Sequence, residues 1–298
     1  MRKSDDRVCF ILNTKAQRGR ARKKVEWLKK EAELRWENFD IHLTGEQGSV
    51  AGLSPKDYQK YDIVVACGGD GTLHNAVNRA LHENIVVGLI PMGSGNDFAK
   101  AIHLPKDLGE CLDVIKIGKT KKMDLIQCSG DVDRWCVNTL GVGFDGLANS
   151  YNSRLKRFVG RLGYHMGALM AAFKFKGSHM ELSVDGKITH GNILMITACN
   201  GPIEGGSFVV GPDAKIDDGL IDLLTLKPTP LIKLLYYIPR FKNGIPKNLD
   251  TATSVKCSQI KIHSKTPVSV HGDGECLGSD IRDLDINIHP LVLNVIVP

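Results

Sequence analysis

The chain has 298 residues, of which 42% are hydrophobic, and a formal net charge of +6 at pH 7. Its length predicts about two domains, and its composition predicts a globular protein with a sizeable core. The basic excess favours anionic phosphates or an anionic membrane surface, but it is too weak to indicate nucleic-acid binding.

The apolar stretches, the N-terminus and the cysteines indicate where the protein resides in the cell. Apolar stretches such as NIVVGLIPM and LIKLLYYIP are shorter than the roughly 18 residues that a membrane-spanning helix requires. The N-terminus MRKSDDRVCFIL is a poor secretory signal because it combines two aspartates with a brief apolar run. Eight cysteines are scattered with no C-x-x-C pair, as is typical of reduced core thiols. We therefore expect a cytoplasmic protein without a transmembrane segment, a disulfide framework or a zinc site.

Strand-like and helix-like segments alternate in the first part of the chain. RVCFILN (7–13) is a strand-length apolar run, and ARKKVEWLKKEAELRW (21–36) spaces its apolar residues as a helix does. FDIHLTG, DIVVACGG and NIVVGLIPMGSGND follow as three further strand candidates. This alternation predicts an α/β domain over residues 1–125, with a mostly parallel sheet between two layers of helices. Residues 290–298 can return to this domain.

Residues 126–289 follow a different pattern. Short β-rich segments such as RWCVNTLGVGF, NILMITACNG and LIDLLTL are separated by turn signals, which predicts a largely antiparallel, sandwich-like domain. Two stretches, 153–174 and 229–243, are predicted to be amphipathic helices with basic residues. We expect most of their apolar residues to cover the sheet, and their exposed basic ends to face an anionic membrane.

The stretch VVACGGDGTLHNAVN (64–78) ends a buried strand in three glycines and a carboxylate. Ligands of parallel α/β sheets bind beyond the carboxyl ends of the strands, and successive glycines let several N–H groups converge on an anionic oxygen. Thr72 is placed to cap the following helix, whose N-terminus also favours phosphate. The carboxylate of Asp70 would repel a bare phosphate, but the two are compatible if a Mg²⁺ ion or a hydroxyl donor lies between them. The stretch predicts a phosphate cradle at residues 68–72, with a plain strand-to-helix turn as the alternative.

A second glycine loop, GSGNDFA (93–99), follows the next strand. Two such loops on neighbouring strand ends can hold different parts of one nucleotide. Ser94 offers a hydroxyl to a phosphate, and Asn96 and Asp97 offer polar groups near it. The alternative for Asn96 and Asp97 is a helix cap.

A third element lies in PVSVHGDGECLG, where Asp273 and Glu275 flank a glycine at the end of a strand-like run. A carboxylate in this place can accept a proton from an attacking hydroxyl. The alternative is a β-hairpin turn, since Asp-Gly is a strong hairpin signal.

GGDGT, GSGNDFA, PDAKIDDGLID and GDGE occur in an order and spacing that resemble the diacylglycerol kinase catalytic-domain family, and within it the soluble bacterial lipid kinases. The resemblance covers essentially the whole chain. It implies an ATP- and Mg²⁺-dependent lipid kinase with a nucleotide-binding α/β domain, a β-rich lipid-binding domain and an active site in the cleft between them. The acceptor is then the hydroxyl of a membrane lipid such as diacylglycerol.

The resemblance also implies roles for individual residues. Asp273 and Glu275 become candidates for the general base, and Asp70 joins them as a catalytic candidate. KIDDGL resembles a structural Mg²⁺ loop, with carbonyl ligands from Lys215 and Leu220 and a carboxylate ligand from Asp218. From the spacing alone, the alternative is an Asp-Asp-Gly turn before a strand, which fits this segment nearly as well. The implied ATP site comprises Asn13, Thr14, Lys15, Ala16, Gln17, Thr44, Gly68, Gly69, Asp70, Gly71, Thr72, Leu73, His74 and Ser94, with Asn96 and Asp97 beside it.

One departure from the family pattern is Thr14, which stands where proline is usual in the first loop. Lys15 and Arg20 can still neutralise phosphate there. Three other functions remain open: an NAD kinase, which also uses GGDGT, a small-polyol kinase, and a non-catalytic nucleotide or lipid sensor. The GSGNDFA and GDGE segments and the hydrophobic helices favour a lipid kinase. The sequence leaves open which lipid accepts the phosphate and whether the protein is a homodimer.

Overall fold

The computed structural model describes residues 6–13, 21–44, 54–81, 85–159, 162–246 and 248–298. The chain forms two compact units. The first unit comprises Met1–Met123 and Leu291–Pro298, and the second comprises Asp124–Pro290.

The first unit is built on a parallel sheet. Its elements are β1 (Val8–Asn13), α1 (Ala21–Glu33), β2 (Phe39–Thr44), a 3-10 helix (Pro55–Lys60), β3 (Ile63–Gly68), α2 (Asp70–Ala80), β4 (Val86–Pro91), α3 (Asp97–Ala101) and α4 (Leu108–Ile117). The strand order is β2-β1-β3-β4, all parallel. Asn294 and Val295, near the end of the chain, pair in parallel with β4.

Helices cover both faces of this sheet, which explains why β1, β3 and β4 are almost entirely apolar. Val8, Phe10 and Leu12 point to one face and share a core with residues of α1 and α4. The alternate residues Cys9 and Ile11 are also buried and point to the opposite face. The buried side chains of α2 lie outside the α1–α4 core, and α2 packs on β3. The predicted α/β architecture with a parallel sheet is confirmed.

The second unit is β-rich and antiparallel, as predicted. It contains β6 (Arg134–Cys136), β7 (Thr139–Gly143), α5 (Phe144–Val159), α6 (Leu162–Lys174), β8 (Ser178–Val184), β9 (Lys187–Ile193), β10 (Met195–Cys199), β11 (Ile203–Glu204), β12 (Phe208–Val209), β13 (Ile221–Leu226), α7 (Leu231–Tyr237), a 3-10 helix (Ile238–Asn243), β14 (Ala252–Cys257) and β15 (Gln259–Gly272). Two strands cross the unit boundaries, β5 (Thr120–Gly130) and β16 (Glu275–Ile296). The main strand order is β14-β13-β10-β7-β15-β16.

Alternate residues of β10 show how this sheet is packed. Ile196 and Ala198 join a core formed with β7, β8 and β15. Met195 and Cys199 point to the other face and join a core formed with α5, α6 and α7. The helices therefore cover one face of the sheet.

The expectation that most apolar residues of these helices are buried agrees with part of the second stretch, where Leu234 and Phe241 join the core, but not with α6. Within the described part of α6, the buried side chains are alanines: Ala168, Ala171 and Ala172. The larger apolar side chains are exposed, namely Met166, Leu169, Met170 and Phe173. α6 packs closely on α5, where a Cβ atom on Gly167 would lie 2.5 Å from the carbonyl oxygen of Ala148, and this contact leaves room only for small side chains. The side chains of residues 153–165 lie outside the described residues.

The cysteines agree with the expectation of reduced core thiols. All eight are free, and only Cys276 is exposed. Burial raises the pKa of the Cys9 thiol to about 12, so this group stays protonated. Within the ranges given above, no helix combines the length and hydropathy needed to cross a bilayer.

Candidate functional site

The two glycine loops of the first unit lie against each other. β3 and β4 are parallel neighbours, with Gly68 opposite Pro91, so both loops leave the sheet at the same edge. A Cβ atom on Gly93 would lie 2.4 Å from the Cα atom of Gly69. Side chains are excluded at this contact, which explains the glycines on both sides.

Asp70 joins the two loops. Its Oδ1 accepts hydrogen bonds from the backbone N–H groups of Asp97, at 2.7 Å, and Phe98, at 3.3 Å. These amides lie at the start of α3, where N–H groups have no partner within the helix. The carboxylate therefore fixes the second loop, and a role for Asp70 toward Mg²⁺ stays a prediction.

The expected cap at Thr72 is wrong, because α2 begins at Asp70 with Gly69 as its N-cap. Thr72 lies in the first turn, buried, and its Oγ1 accepts a hydrogen bond from Nδ2 of Asn13 at 3.2 Å. This bond ties the end of β1 to the first turn of α2. Leu73 and His74 belong to the buried face of the helix.

The second loop is held by its own side chains. Asn96 has φ 53, a left-handed conformation, and its Oδ1 accepts a hydrogen bond from the N–H of Gly93 at 2.9 Å. Asn96 is the N-cap residue of α3, but its side chain makes no capping bond. Asp97 is buried and pairs with Lys100 at 3.2 Å. Ser94 is exposed at the turn.

The remaining predicted ATP-site residues divide into two groups. Asn13 and Thr44 end the paired strands β1 and β2, where they lie opposite each other. Residues 14–17, which hold the other four candidates, lie outside the described residues.

In the second unit, Asp273 and Gly274 form the hairpin turn between β15 and β16. Gly272 pairs with Glu275, and both turn residues have positive φ, 51 and 81. This matches the Asp-Gly hairpin that the sequence offered as an alternative. The turn geometry does not exclude a chemical role, because it leaves the carboxylate of Asp273 inside the unit and that of Glu275 exposed.

The carboxylate of Asp273 accepts three backbone hydrogen bonds. The N–H of Val137 donates to Oδ2 at 2.9 Å, and those of Asn138 and Thr139 donate to Oδ1 at 2.7 and 3.2 Å. The N–H of Asp273 in turn donates to the carbonyl oxygen of Thr139. The segment before β7 therefore fixes the orientation of this carboxylate.

The loop that resembles a Mg²⁺ site has a well-defined conformation. Gly219 has φ 71, and its N–H donates to Oδ2 of the buried Asp124 at 2.7 Å. Oδ2 of Asp218 accepts from Lys256 Nζ at 2.9 Å, and its Oδ1 accepts from the N–H of Leu220 at 3.1 Å. A carboxylate has about four lone-pair sites, so Asp218 can still serve a cation. A Mg²⁺ site formed with the carbonyls of Lys215 and Leu220, hard oxygen ligands of the kind that Mg²⁺ prefers, stays a prediction.

Lys256 is a neighbour of this loop that was not among the residues predicted from the sequence. Its ammonium also donates to Oδ2 of Asp222 at 2.7 Å and to the carbonyl oxygen of Asp213. Burial lowers the pKa of Lys256, but the hydrogen bonds and charges of Asp222 and Asp218 outweigh burial and raise it. The lysine therefore stays charged and neutralises the acidic loop.

The sequence analysis also missed a buried cluster of Asp145, Glu204 and His271. His271 Nε2 lies 3.0 Å from Glu204 Oε1 and 3.4 Å from Asp145 Oδ2. No short-range spacing reveals the cluster, because its members come from three distant parts of the chain. The signal available was His271, a titratable residue two positions before Asp273.

Comparison with known proteins agrees with this architecture. The model of the diacylglycerol kinase catalytic domain matches residues 7–128, and that of the YegS C-terminal NAD kinase beta sandwich-like domain matches residues 138–297. A diacylglycerol kinase of Bacillus subtilis (strain 168) is 27% identical over 221 residues, which are 73% of this chain and 72% of that protein. One from Staphylococcus aureus (strain bovine RF122 / ET3-1) is 30% identical over 222 residues, 73% of this chain and 69% of that protein.

A solved structure of a diacylglycerol kinase from Bacillus anthracis str. Sterne has the same fold, with a TM-score of 0.75 at 21% identity. The alignment covers 100% of this chain and 98% of that one. The parallel unit with paired glycine loops and the antiparallel unit with its Asp-Gly-Glu hairpin thus define a class of two-domain kinases. Within that class, the chain belongs to the diacylglycerol kinase catalytic-domain family.

Proposed function

We propose that this protein is an ATP- and Mg²⁺-dependent lipid kinase, which transfers the γ-phosphoryl group to the hydroxyl of a membrane lipid such as diacylglycerol. The observation that carries the proposal is the pair of glycine loops joined by Asp70 at the carboxyl ends of β3 and β4. Family membership and the names of the relatives support the choice of a lipid acceptor.

The first unit is proposed to bind ATP. The N-terminus of α2 presents backbone N–H groups and a positive dipole end, which together favour phosphate. Exposed Ser94 adds a hydroxyl, and Asn13 and Thr44 end the two neighbouring strands. Residues 14–17 complete the predicted site in sequence. Bound Mg²⁺ would neutralise charge on the phosphates.

The hairpin of the second unit is proposed to act on the acceptor. Three backbone amides hold the carboxylate of Asp273 in one orientation, as pre-organised catalysis requires. Glu275, two residues later, is exposed. One of these two carboxylates accepts the proton of the lipid hydroxyl as its oxygen attacks the γ-phosphorus in line with the leaving ADP oxygen.

The acidic loop near Lys256 is proposed to hold a structural Mg²⁺ ion. Lys215 and Leu220 would supply carbonyl oxygens and Asp218 a carboxylate oxygen. The ion would stabilise the loop before β13, in addition to the Lys256 ammonium that already contacts it.

Membrane association is proposed to use an apolar face formed by α6 and α7. We define this face by Met166, Leu169, Met170 and Phe173 of α6 and Ile232, Leu235 and Tyr236 of α7. Ile232 is 84% exposed and Phe173 60%, an unusual cost for side chains of this size in water. Exposed basic residues lie next to it in sequence, namely Lys174, Lys176, Arg240 and Lys242. An apolar face with a basic border is what an anionic lipid surface binds. A cytoplasmic protein with peripheral membrane attachment is consistent with this face and with the buried thiols.

Transfer of labelled γ-phosphate from Mg-ATP to a panel of acceptors tests the proposal. The panel contains lipids in mixed micelles, soluble polyols and NAD. We expect label in one lipid class and in neither NAD nor the polyols. Label in NAD or a polyol would replace the lipid kinase with one of those alternatives, and ATP binding without transfer to any acceptor would indicate a sensor.

A further inference from the structure

The second unit contains three ionisable side chains that are almost completely buried. Asp145 lies in the first turn of α5, Glu204 ends β11 and His271 lies in β15, and none is more than 4% exposed. The Nε2 atom of His271 lies within 3.4 Å of a carboxylate oxygen of each partner. Buried charges persist only when they are paired, because desolvation is costly.

The neighbouring residues are shaped to admit this cluster. Gly141 of β7 pairs with His271 in the sheet, and a Cβ atom on Gly141 would lie 2.2 Å from His271 Nε2 and 2.4 Å from Asp145 Oδ2. From β10, the Thr197 hydroxyl donates to Asp145 Oδ2 at 2.8 Å. The titratable neighbour from β10 is Cys199. Burial raises the pKa of its thiol well above the usual value.

The three groups affect one another's protonation. Burial lowers the pKa of His271, but the charges of Glu204 and Asp145 outweigh burial and raise it well above its usual value. Burial raises the pKa of Asp145, but the charge and hydrogen bonds of His271 outweigh burial and lower it. Burial and the Asp145 charge raise the pKa of Glu204 to about 7. Glu204 is the nearer carboxylate to His271, at 3.0 Å against 3.4 Å for Asp145, so the two carboxylates share one imidazolium. Because the pKa of Glu204 is raised and that of Asp145 is lowered, Glu204 is the carboxylate that takes up a proton first as the pH falls.

A closed ring of contacts links the cluster to the hairpin. Asn138 donates its backbone N–H to Asp273 and its side-chain amide to the carbonyl oxygen of Ile203, at 2.7 Å in both cases. Glu204, which follows Ile203 in the sequence, contacts His271 of β15. His271 lies two residues before Asp273. A change at Glu204 or His271 therefore acts on the turn from two sides.

We propose that Asp145, Glu204 and His271 form a proton-sharing network that positions the Asp273–Glu275 hairpin for phosphoryl transfer. Glu204 and His271 are positioning residues, since they act through Asp273. When Glu204 loses its proton, a second negative charge appears beside Asp145 in the buried site, and the hairpin loosens. The catalytic part of this inference rests on the proposed function, whereas the structural part does not.

Amide hydrogen exchange at Val137, Asn138 and Thr139 tests the positioning without any assay of activity. We expect His271→Gln to accelerate exchange at these three amides by tenfold or more, because their acceptor Asp273 is no longer held. Glu204→Gln removes the titratable proton but keeps the side-chain shape. Relative to the intrinsic base-catalysed rate, we expect the protection of these amides to fall above pH 7 in wild type and to stay constant in Glu204→Gln. The control is Glu181→Gln, which alters an exposed glutamate 3.7 Å from His190 and should leave the exchange unchanged.

Kinetics against pH test the catalytic part. We expect kcat of the wild-type protein to fall with a one-proton inflection near pH 7, and Glu204→Gln to remove that inflection with the KM for ATP unchanged. The proposal would be overturned if Glu204→Gln had the same amide exchange as wild type and the same dependence of kcat on pH. Changed exchange with an unchanged kcat profile would reduce the cluster to a structural role. Absence of transfer by wild-type protein would refute the proposed function, while the exchange data would still decide the structural part.

Discussion

Asp70 illustrates how one side chain of the first unit organises two functional loops. It follows the first glycine loop and accepts the amides that begin α3 in the second. Its contact with the second loop therefore explains why an acidic residue lies next to a predicted phosphate site. Its negative charge also favours the N-terminus of α3.

Replacement of Asp70 by alanine tests this role. Asp70→Ala leaves the amides of Asp97 and Phe98 without their acceptor, so we expect a loss of about 1–3 kcal/mol in the free energy of unfolding. We also expect weaker ATP binding, because the loops lose their shared support. Denaturant unfolding and calorimetric titration with Mg-ATP measure the two effects.

Asp107→Ala provides the control for Asp70. Asp107 caps α4 of the same unit by accepting the amides of Gly109 and Glu110. Its removal should lower the free energy of unfolding by a similar amount, about 1 kcal/mol, without affecting ATP affinity. Equal loss of ATP affinity in both variants would show that general destabilisation, not the loop contact, controls binding.

At the scale of elements, the edge of the parallel sheet depends on close approach of two backbones. Gly69 and Gly93 touch where β3 and β4 end, so neither loop can move independently. The same edge receives Asn13 from β1 through its bond to Thr72. The ends of these three strands are thus in contact with one another.

Gly93→Ala should separate the two loops. The new Cβ atom would lie 2.4 Å from Gly69 Cα and 2.7 Å from Asn96 Oδ1, and a backbone atom cannot yield as a flexible side chain can. We expect a loss of about 1–3 kcal/mol in stability and at least a tenfold loss of ATP affinity. Gly88→Ala in β4 is the control, because its Cβ atom meets side-chain atoms of Ile115 and Val65 at 3.3 Å. Unchanged ATP affinity in Gly93→Ala would contradict the importance of the contact.

The apolar face of α6 and α7 makes a prediction about membranes. Phe173→Ser and Ile232→Ser remove exposed apolar area without opening the core, so unfolding should be nearly unaffected. Binding to vesicles that contain phosphatidylglycerol should weaken by about fivefold or more for the double variant. Leu34→Ser, at a side chain 72% exposed in the first unit, should bind as wild type does. Equal weakening in both variants would argue against a specific face.

At the scale of the whole molecule, the sequence predicted the features that depend on local patterns. The alternation of strands and helices before residue 125 and the short strands after it were sufficient for the fold class. The position of the glycine loops followed from the rule that ligands bind beyond the ends of parallel strands. The hairpin at Asp273 was also present among the alternatives, because Asp-Gly has a strong local preference.

The features that failed depend on tertiary packing. The sequence placed the N-cap of α2 at Thr72, but the N-cap is Gly69, three residues earlier, where the two glycine loops touch. It buried the large side chains of α6, where close packing on α5 admits alanines and Gly167 instead. Asp145 and Glu204 are 59 residues apart in the sequence, and Glu204 and His271 are 67 apart, so only the fold brings the three together.

The central claim is that the hairpin of the second unit serves transfer of phosphate to a lipid. The most direct test measures labelled phosphate entering diacylglycerol in mixed micelles from Mg-ATP, for wild type, Asp273→Asn and Glu275→Gln. Asp185→Asn is the control, because Asp185 and Gly186 form a similar positive-φ turn whose carboxylate accepts the amides of Ser258 and Gln259. We predict transfer by wild type and Asp185→Asn, and a loss of at least a hundredfold in kcat for at least one hairpin variant with ATP binding retained. Transfer near the wild-type rate in both hairpin variants would contradict the account.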